Sequence, residues 1–315
     1  MFSVGDGSYE SAYSTKNIIQ PRPGIKVRRS NRNVTFTLWL IQHSVFLSDS
    51  IPLRTSMKKT LRIGHIDLSF HAASAALVCT VFEKYGWQVE MTASPHEEMF
   101  KRYGKGEVDM LVSAWLPASH DVYLAPYWDN TVKLTVLYHP YCIWGVPDYI
   151  SPSDVASVED LLRPDVLLKM EKRILGINPG AGISRFSRTM VEEYQLTHSG
   201  YYFENGSEAA CYSNFEQAVS DQRWIVVPLW HPQFLHHRYT IRALEEPKGL
   251  LSGQDEATLI VSRSVIGDFE PPLLAELQAL SPGNDAISEL DYLICRENKT
   301  PRQAVESWYQ RHSRI

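Results

Sequence analysis

The fold of this chain is decided by residues 61–92, which read LRIGHIDLSFHAASAALVCTVFEKYGWQVEMT. Residues 61–66 and 88–92 are short apolar runs of the kind found in β-strands. Between them, residues 72–85 carry apolar side chains at the i, i+3, i+4 spacing of a helix, and Gly86 follows as a stop signal. A strand, a helix and a second strand at this spacing predict a β-α-β unit.

The same order of elements continues on both sides of a turn-rich stretch at residues 145–154. This alternation predicts an α/β fold with two lobes, each a mostly parallel sheet flanked by helices, and a ligand cleft between the lobes. Further strands are expected at residues 108–114, 173–177, 201–203, 224–229 and 257–261. Further helices are expected at residues 95–103, 155–162, 208–220, 272–280, 285–292 and 301–312, with one more that ends at residue 194.

The 315-residue chain is long enough to form two lobes. Residues 57–144 together with 238–315 are expected to form the first lobe, and residues 145–237 the second. Residues 1–56 are rich in Ser, Asn, Arg and Pro. We expect them to be a poorly structured N-terminal extension, with Met57 as the functional start.

One apolar run, residues 34–47, lies within this extension and follows several Arg and Lys residues. Gln42 and His43 interrupt the run and no small-x-small cleavage site follows it, so it is not a convincing signal peptide. The run is also shorter than the roughly 20 apolar residues that a membrane-spanning helix needs.

Charge and cysteine spacing exclude some classes of function. The net charge is −5 and no basic field is evident, so nucleic acid is not an expected partner. The four cysteines form no CxxC pair, which argues against structural zinc and favours buried free thiols over disulfides. They are Cys79, Cys142, Cys211 and Cys295.

Two tryptophans share a local context, directly after a predicted strand and two residues before a proline. Trp115 precedes Pro117, and Trp230 precedes Pro232. One such ring from each lobe is placed to approach a shared ligand. A methylated ammonium has no N–H donors and binds to the faces of aromatic rings, each of which contributes about 0.5–2 kcal/mol. The alternative, that a tryptophan simply fills the core, is preferred for Trp39, Trp87, Trp128, Trp144, Trp224 and Trp308.

The turn at residues 180–184, which reads GAGIS, opens a predicted helix. The free N–H groups and the positive dipole end of a helix suit a carboxylate or a phosphate. The turn lacks the GxGxxG and GxxxxGK[ST] spacings, so a nucleotide is disfavoured, and a tight turn without a ligand is an equal alternative. His120, five residues after Trp115, is a candidate donor to the same carboxylate, although a lone histidine is more often structural.

Motifs of catalysis are not found in the sequence. It contains no GxSxG elbow, no HExxH helix and no paired metal-ligand spacing. We therefore predict no catalytic residue, no metal and no cofactor, and we do not expect an enzyme.

Three groups of motifs carry a family resemblance. They are GEVDM at residues 106–110 followed by AWLPASH at 114–120, GINPGAGI at 176–183, and VPLWHP at 227–232 followed by LEEPKG at 244–249. With these motifs, residues 61–312 resemble the substrate-binding proteins of glycine betaine, carnitine and choline ABC importers, of the ProX and OpuAC type. The resemblance implies the type II periplasmic-binding-protein fold, an aromatic cage around a trimethylammonium group, and a carboxylate held by backbone amides and a histidine.

The resemblance also assigns roles to individual residues. Trp115 and Trp230 match two cage tryptophans, His120 matches the carboxylate-binding histidine, and Gly182 with Ile183 match the amide donors. The partners implied are a small zwitterionic or cationic ligand and an ABC transporter permease and ATPase complex, and the protein is expected to be a monomer. The implied location is periplasmic or extracytoplasmic, although the lack of a convincing signal peptide leaves a cytoplasmic ligand-sensing module as an alternative.

The sequence departs from the family pattern at one wall of the cage. Relatives usually carry a third tryptophan after the first strand, where this chain has Leu68, with Phe70 and His71 close by. Phe70, or Tyr201 beside the second-lobe strand, is a candidate for the third wall. A different small zwitterion is the alternative ligand.

Overall fold

A computed structural model describes residues 59–312 of the chain, which belong to one unit of the fold. The predicted extension at residues 1–56 and the apolar run at 34–47 lie outside the described residues. Among the helices of residues 59–312, none combines the length and the apolar composition that a membrane span requires.

Ten strands form the sheets of the described region. They are β1 Thr60–Ile66, β2 Gln88–Ser94, β3 Met110–Leu116, β4 Thr131–Tyr138, β5 Tyr141–Pro147, β6 Arg173–Leu175, β7 Tyr202–Glu204, β8 Val227–His231, β9 Ile241–Ala243 and β10 Glu256–Ser262.

Eleven α-helices accompany these strands in the described region. They are α1 Ser69–Lys84, α2 His96–Gly104, α3 Asp121–Leu124, α4 Pro164–Leu167, α5 Gly182–Glu193, α6 Glu208–Ser220, α7 Leu235–Arg238, α8 Arg263–Ile266, α9 Pro271–Ala279, α10 Gly283–Cys295 and α11 Pro301–His312. Short 3₁₀ helices lie at Ala125–Asn130, Glu159–Leu162 and Leu196–Ser199.

The first lobe is built on a five-stranded sheet in the order β2-β1-β3-β10-β4. The central strand β3 is buried along its whole length, as expected for an apolar strand that is covered by other elements. Helix α1 packs on β1, β2 and β3, and helices α9, α10 and α11 pack on α1. Gly64 in β1 permits the close approach of α2, because a Cβ at that position would lie 2.4 Å from the Met99 sulfur.

The α/β class is confirmed, but the sheets are mixed rather than mostly parallel. In the first lobe, β1 runs parallel to β2 and β3, whereas β10 runs antiparallel to β3 and to β4. The chain reaches β10 only after it has passed through the second lobe, and it enters the sheet from the opposite end. In the second lobe, β5 pairs antiparallel with β8 and with β9, whereas β6 pairs parallel with β7.

The chain passes between the five-stranded sheet and the sheet of β5, β8 and β9 at two places. The first crossing is at residues 139–140, between β4 and β5, and the second is at residues 244–255, between β9 and β10. The lobe boundaries expected from the sequence, after residue 144 and after residue 237, stay a prediction. We use "first lobe" for the part built on the five-stranded sheet and "second lobe" for the part built on β5 to β9.

Most of the predicted elements are present with bounds that differ by a few residues. The helices expected at residues 208–220 and 301–312 have the observed bounds. The helix expected at residues 155–162 is only a short 3₁₀ turn, Glu159–Leu162. Strand β5 extends into residues 145–147, which were expected to be turn, because β8 and β9 supply it with partners on both edges.

Candidate functional site

A small cavity lies where the two lobes meet. From the first lobe it is lined by the start of α1, the start of α2 and the segment from the end of β3 to His120. From the second lobe it is lined by β5, the turn before α5 and β8. The lining residues are Leu68, Phe70, His71, His96, Trp115, Ser119, His120, Cys142, Ile177, Ala181, Gly182, Ile183 and Trp230.

Three aromatic rings form one wall of this cavity. The ring of Phe70 lies 5.4 Å from that of Trp115 and 5.6 Å from that of Trp230, measured between centroids, with tilts of 38° and 49°. These separations are typical of aromatic rings in contact. Phe70 thus joins the tryptophan of the first lobe to that of the second in one continuous aromatic wall.

The remaining space beside this wall is small. The volume open to the centre of a water molecule is about 20 Å³, which is room for about one water. A trimethylammonium group that carries a carboxylate is several times larger. The lobes therefore have to open to admit it, and the rings have to move apart to hold it after the lobes close.

A hydrogen-bond network beneath the wall fixes the indole of Trp115. Its Nε1–H donates to the Tyr138 hydroxyl oxygen at 3.1 Å. The Tyr138 hydroxyl lies 2.7 Å from the Ser113 hydroxyl, which in turn lies 3.1 Å from Nδ1 of His71. The network is buried throughout, so it orients both Trp115 and His71.

His120 is held in a defined tautomer by the chain that precedes it. The backbone N–H of Trp115 donates to His120 Nδ1 at 2.8 Å. Burial, with a smaller effect from His96 and His71, keeps the pKa of His120 well below its ordinary value. The imidazole is therefore neutral with its proton on Nε2, which suits hydrogen-bond donation to a ligand oxygen.

Helix α5 begins at the cavity with Gly182 and Ile183. The N–H groups of its first turn have no partner inside the helix, and within residues 59–312 no side chain caps it. A Cβ at Gly182 would lie 2.7 Å from the Ser119 hydroxyl oxygen, so the glycine permits close contact between the lobes at this point. The free N–H groups and the helix dipole make this end of the cavity suitable for an anion.

Arg185 connects the two lobes beside the cavity. From α5 it donates through Nη2 to the Ser119 carbonyl at 2.6 Å and through Nη1 to the Tyr123 hydroxyl at 3.1 Å. The Tyr123 hydroxyl donates to the Gly180 carbonyl at 2.8 Å. Asp255, just before β10, accepts from the backbone N–H of Ser119 at 3.1 Å and so helps to hold the loop that Arg185 contacts.

A buried carboxyl pair lies at a second contact between the lobes. Glu208, at the start of α6, accepts hydrogen bonds from Tyr212 at 2.7 Å and from Ser69 of α1 at 3.2 Å. Asp291 of α10 accepts from the Phe234 N–H at 2.8 Å. Burial and the nearby Asp291 raise the pKa of Glu208 to about 7, and burial raises that of Asp291 to about 6. This contact is therefore sensitive to pH near neutrality.

Seven of the eight site residues predicted from the sequence line the cavity. The exception is Tyr201, which precedes β7 and donates from its hydroxyl to the Leu161 carbonyl at 3.0 Å. Tyr201 is buried in the second-lobe core, so the structure does not bring it to the proposed cage. Trp144 is likewise buried, with its Nε1–H donating to Ser187 at 2.8 Å, as expected for a core tryptophan.

The cavity also includes residues that sequence reasoning did not select. They are His96, Ser119, Cys142, Ile177 and Ala181. Ser119 lies inside the AWLPASH motif and Ala181 inside GAGIS, so the motifs themselves could have identified both residues as part of the site. Cys142 faces Trp230 across the β5–β8 pair, and its place is set by strand register that the sequence does not encode locally. All four cysteines of the chain are free thiols.

A family model matches most of the described chain. The family described as the substrate binding domain of the ABC-type glycine betaine transport system matches residues 59–311. A glycine betaine/carnitine transport binding protein of Listeria monocytogenes is 25% identical over 146 residues, which are 46% of this chain and 48% of the relative. The matched part thus spans about half the length of that relative.

Solved structures with the same fold include three binding proteins. Lactococcal OpuAC, closed with glycine betaine, has a TM-score of 0.70 at 23% identity and covers 82% of this chain and 97% of its own. ProX from Borrelia burgdorferi has a TM-score of 0.71 at 22% identity, with 81% and 94% covered. A choline binding protein in complex with choline has a TM-score of 0.68 at 17% identity, with 81% and 89% covered. The predicted type II periplasmic-binding-protein fold is confirmed.

Proposed function

The chain belongs to the family of substrate-binding domains of ABC-type glycine betaine transport systems, and from this we propose that its cavity binds glycine betaine or a related quaternary-ammonium compound. The observation that carries the proposal is the composition of that cavity. A wall of three aromatic rings and an uncapped helix N-terminus with a neutral histidine line the same space between the lobes.

In the proposed complex, the ligand's cation lies against Phe70, Trp115 and Trp230. A methylated ammonium is attracted to ring faces within about 6 Å of their centroids. Phe70 takes the part of the third cage wall, because it contacts both tryptophans while Leu68 supplies only an aliphatic side chain. This support makes Phe70 the candidate for the third wall in place of Tyr201.

The carboxylate lies at the other part of the site. Nε2–H of His120 and the N–H groups of Gly182 and Ile183 are the donors we assign to it. Because the aromatic and amide groups come from both lobes, a bound ligand stabilises the closed arrangement over an open one. Lobe closure is then the signal that an ABC transporter permease and ATPase complex would recognise.

The ligand is proposed to be returned chemically unchanged, because the family is one of transport binding proteins and not a class of enzymes. Incubation of the protein with glycine betaine, followed by proton NMR of the recovered ligand, tests this point, and a new product would contradict it. The family also supports an extracytoplasmic location, which cell fractionation tests against the cytoplasmic sensing alternative.

Calorimetric titration with glycine betaine, proline betaine, carnitine, choline and ectoine tests the binding proposal. We expect at least one quaternary-ammonium ligand to bind and Trp115→Ala to weaken it about tenfold or more, from the lost cation–π contact and packing. Trp308→Ala, on α11 and outside the cavity lining, is the matched control and should bind as the wild type does. Absence of binding by every ligand, or equal binding by Trp115→Ala, would refute the proposal.

A further inference from the structure

Three side-chain atoms of the cavity lining are buried, polar and without a hydrogen-bond partner among residues 59–312. They are Nδ1 of His96, the hydroxyl of Ser119 and Nε1 of Trp230, whose residues are 3%, 1% and 1% exposed. Buried polar groups are nearly always paired in folded proteins, and an unpaired one is destabilising. All three residues line the cavity, and Trp230 belongs to its aromatic wall. For His96 and Ser119, a ligand oxygen would supply the missing partner.

The position of the Ser119 hydroxyl is fixed by the backbone on either side of it. The N–H of Ser119 donates to Asp255 at 3.1 Å, and its carbonyl accepts from Arg185 at 2.6 Å. The hydroxyl oxygen then lies so close to Gly182 that a Cβ there would be 2.7 Å away. Ser119 therefore faces the first residue of α5, the helix whose uncapped N-terminus suits an anion.

His96 lies on the same side of the cavity. Its ring centroid is 5.4 Å from that of His120, and its Cβ lies 3.5 Å from the position of a Cβ at Gly180, in the turn before α5. Burial, with a smaller effect from Arg185, lowers the pKa of His96 to about 4. At neutral pH the imidazole is therefore uncharged and offers hydrogen bonding without a net positive charge.

We propose that Ser119 and His96 are specificity-determining residues, which bind the anionic end of the ligand from the first lobe while Gly182 and Ile183 bind it from the second. This inference rests on the proposed function. A hydroxyl and a neutral imidazole can donate to a carboxylate oxygen, but they give nothing to a trimethylammonium group. Their hydrogen bonds to a charged carboxylate are stronger than those to a neutral alcohol, so they select glycine betaine over choline.

Titration of the wild type, Ser119→Ala, His96→Leu and His96→Asn with glycine betaine and with choline tests this proposal. Ser119→Ala and His96→Leu should each weaken glycine betaine binding about tenfold or more, because hydrogen bonds to charged groups are the strong ones. Choline binding should change less than about threefold. His96→Asn, whose amide nitrogen can take the place of Nδ1, should keep glycine betaine within about threefold of the wild type.

Loss of less than about twofold for glycine betaine in both Ser119→Ala and His96→Leu would overturn the inference. So would an equal loss for choline, or a His96→Asn protein as weak as His96→Leu, since either result indicates packing rather than recognition of the anion. A wild type that binds no quaternary-ammonium ligand would refute the proposed function itself. Glycine betaine binding that is lost in Trp115→Ala but unchanged in both Ser119→Ala and His96→Leu would keep the proposed function and overturn only this inference.

Discussion

Substitution of Arg185 is a direct test of whether contacts between the lobes stabilise the closed arrangement. Its guanidinium makes two hydrogen bonds from the second lobe to the first, at 2.6 Å to the Ser119 carbonyl and at 3.1 Å to the Tyr123 hydroxyl. Arg185→Met keeps most of the aliphatic stem and removes both bonds. The third bond of Arg185, to Gly180, stays within the second lobe and does not bear on closure.

Loss of the two bonds that cross between the lobes should cost at least as much as loss of one hydrogen bond to a charged group. A hydrogen bond to a charged group contributes about 1.5–3 kcal/mol, which is roughly a 10- to 150-fold change in an equilibrium constant. If the free protein is mostly open, ligand affinity falls by the same factor, because only the closed state holds the ligand fully. The contacts form after the ligand has entered, so the change should lie in the dissociation rate.

Arg188→Met is the matched control for this experiment. Arg188 lies on the same helix and also makes two hydrogen bonds, to Asn205 at 3.2 Å and to the Pro179 carbonyl at 3.0 Å, but both partners belong to the second lobe. Stopped-flow tryptophan fluorescence with glycine betaine should give faster dissociation for Arg185→Met and wild-type rates for Arg188→Met. Equal dissociation rates for the two variants would refute the role of Arg185 in closure.

Three further predictions concern stability and packing. Glu208→Gln should gain stability relative to the wild type as pH rises from 4.5 to about 7, as measured by urea unfolding between pH 4 and 8. The reason is that the wild-type carboxyl binds its proton more tightly in the folded state than in the unfolded state. A difference in unfolding free energy between the two proteins that does not change with pH would contradict the raised pKa. Gly182→Ala should weaken glycine betaine binding at least about tenfold, because its Cβ would lie 2.7 Å from the Ser119 hydroxyl oxygen and oppose closure. An unchanged affinity in calorimetric titration would disprove this. Tyr201→Phe should lower the free energy of unfolding by about 1 kcal/mol through loss of the bond to Leu161 while ligand affinity stays the same, and weakened binding would return Tyr201 to the site.

Local sequence pattern predicts the elements of this fold better than their pairing. The apolar run of β1, the helical spacing of α1 and the stop signal at Gly86 are local signals. The structure contains both elements, and α1 ends before Gly86. The direction of β10 is not a local property, because the same alternation fits a parallel or an antiparallel neighbour. Gly145 and Pro147 resemble turn residues, yet both lie in β5, whose neighbours decide its conformation.

Some residues of the candidate site could likewise be selected from local sequence, whereas others depend on tertiary packing. Trp115, Trp230 and the turn before α5 could be selected because they follow predicted strands, and carboxyl ends of strands meet at a cleft. His96 could not be selected, because only the packing of α2 against the turn at Gly180 brings its ring into the cavity. Tyr201 was a candidate only as an aromatic residue beside a predicted strand, and its neighbours in the second-lobe core place it elsewhere.

A crystal structure of the protein with glycine betaine is the most direct test of the central claim, that the cavity between the lobes binds a quaternary-ammonium carboxylate. We predict that the ammonium nitrogen lies within about 6 Å of the ring centroids of Phe70, Trp115 and Trp230, and that the carboxylate accepts hydrogen bonds from the Gly182 and Ile183 amides. A ligand bound outside this cavity, or bound with its carboxylate against the aromatic wall, would contradict the account.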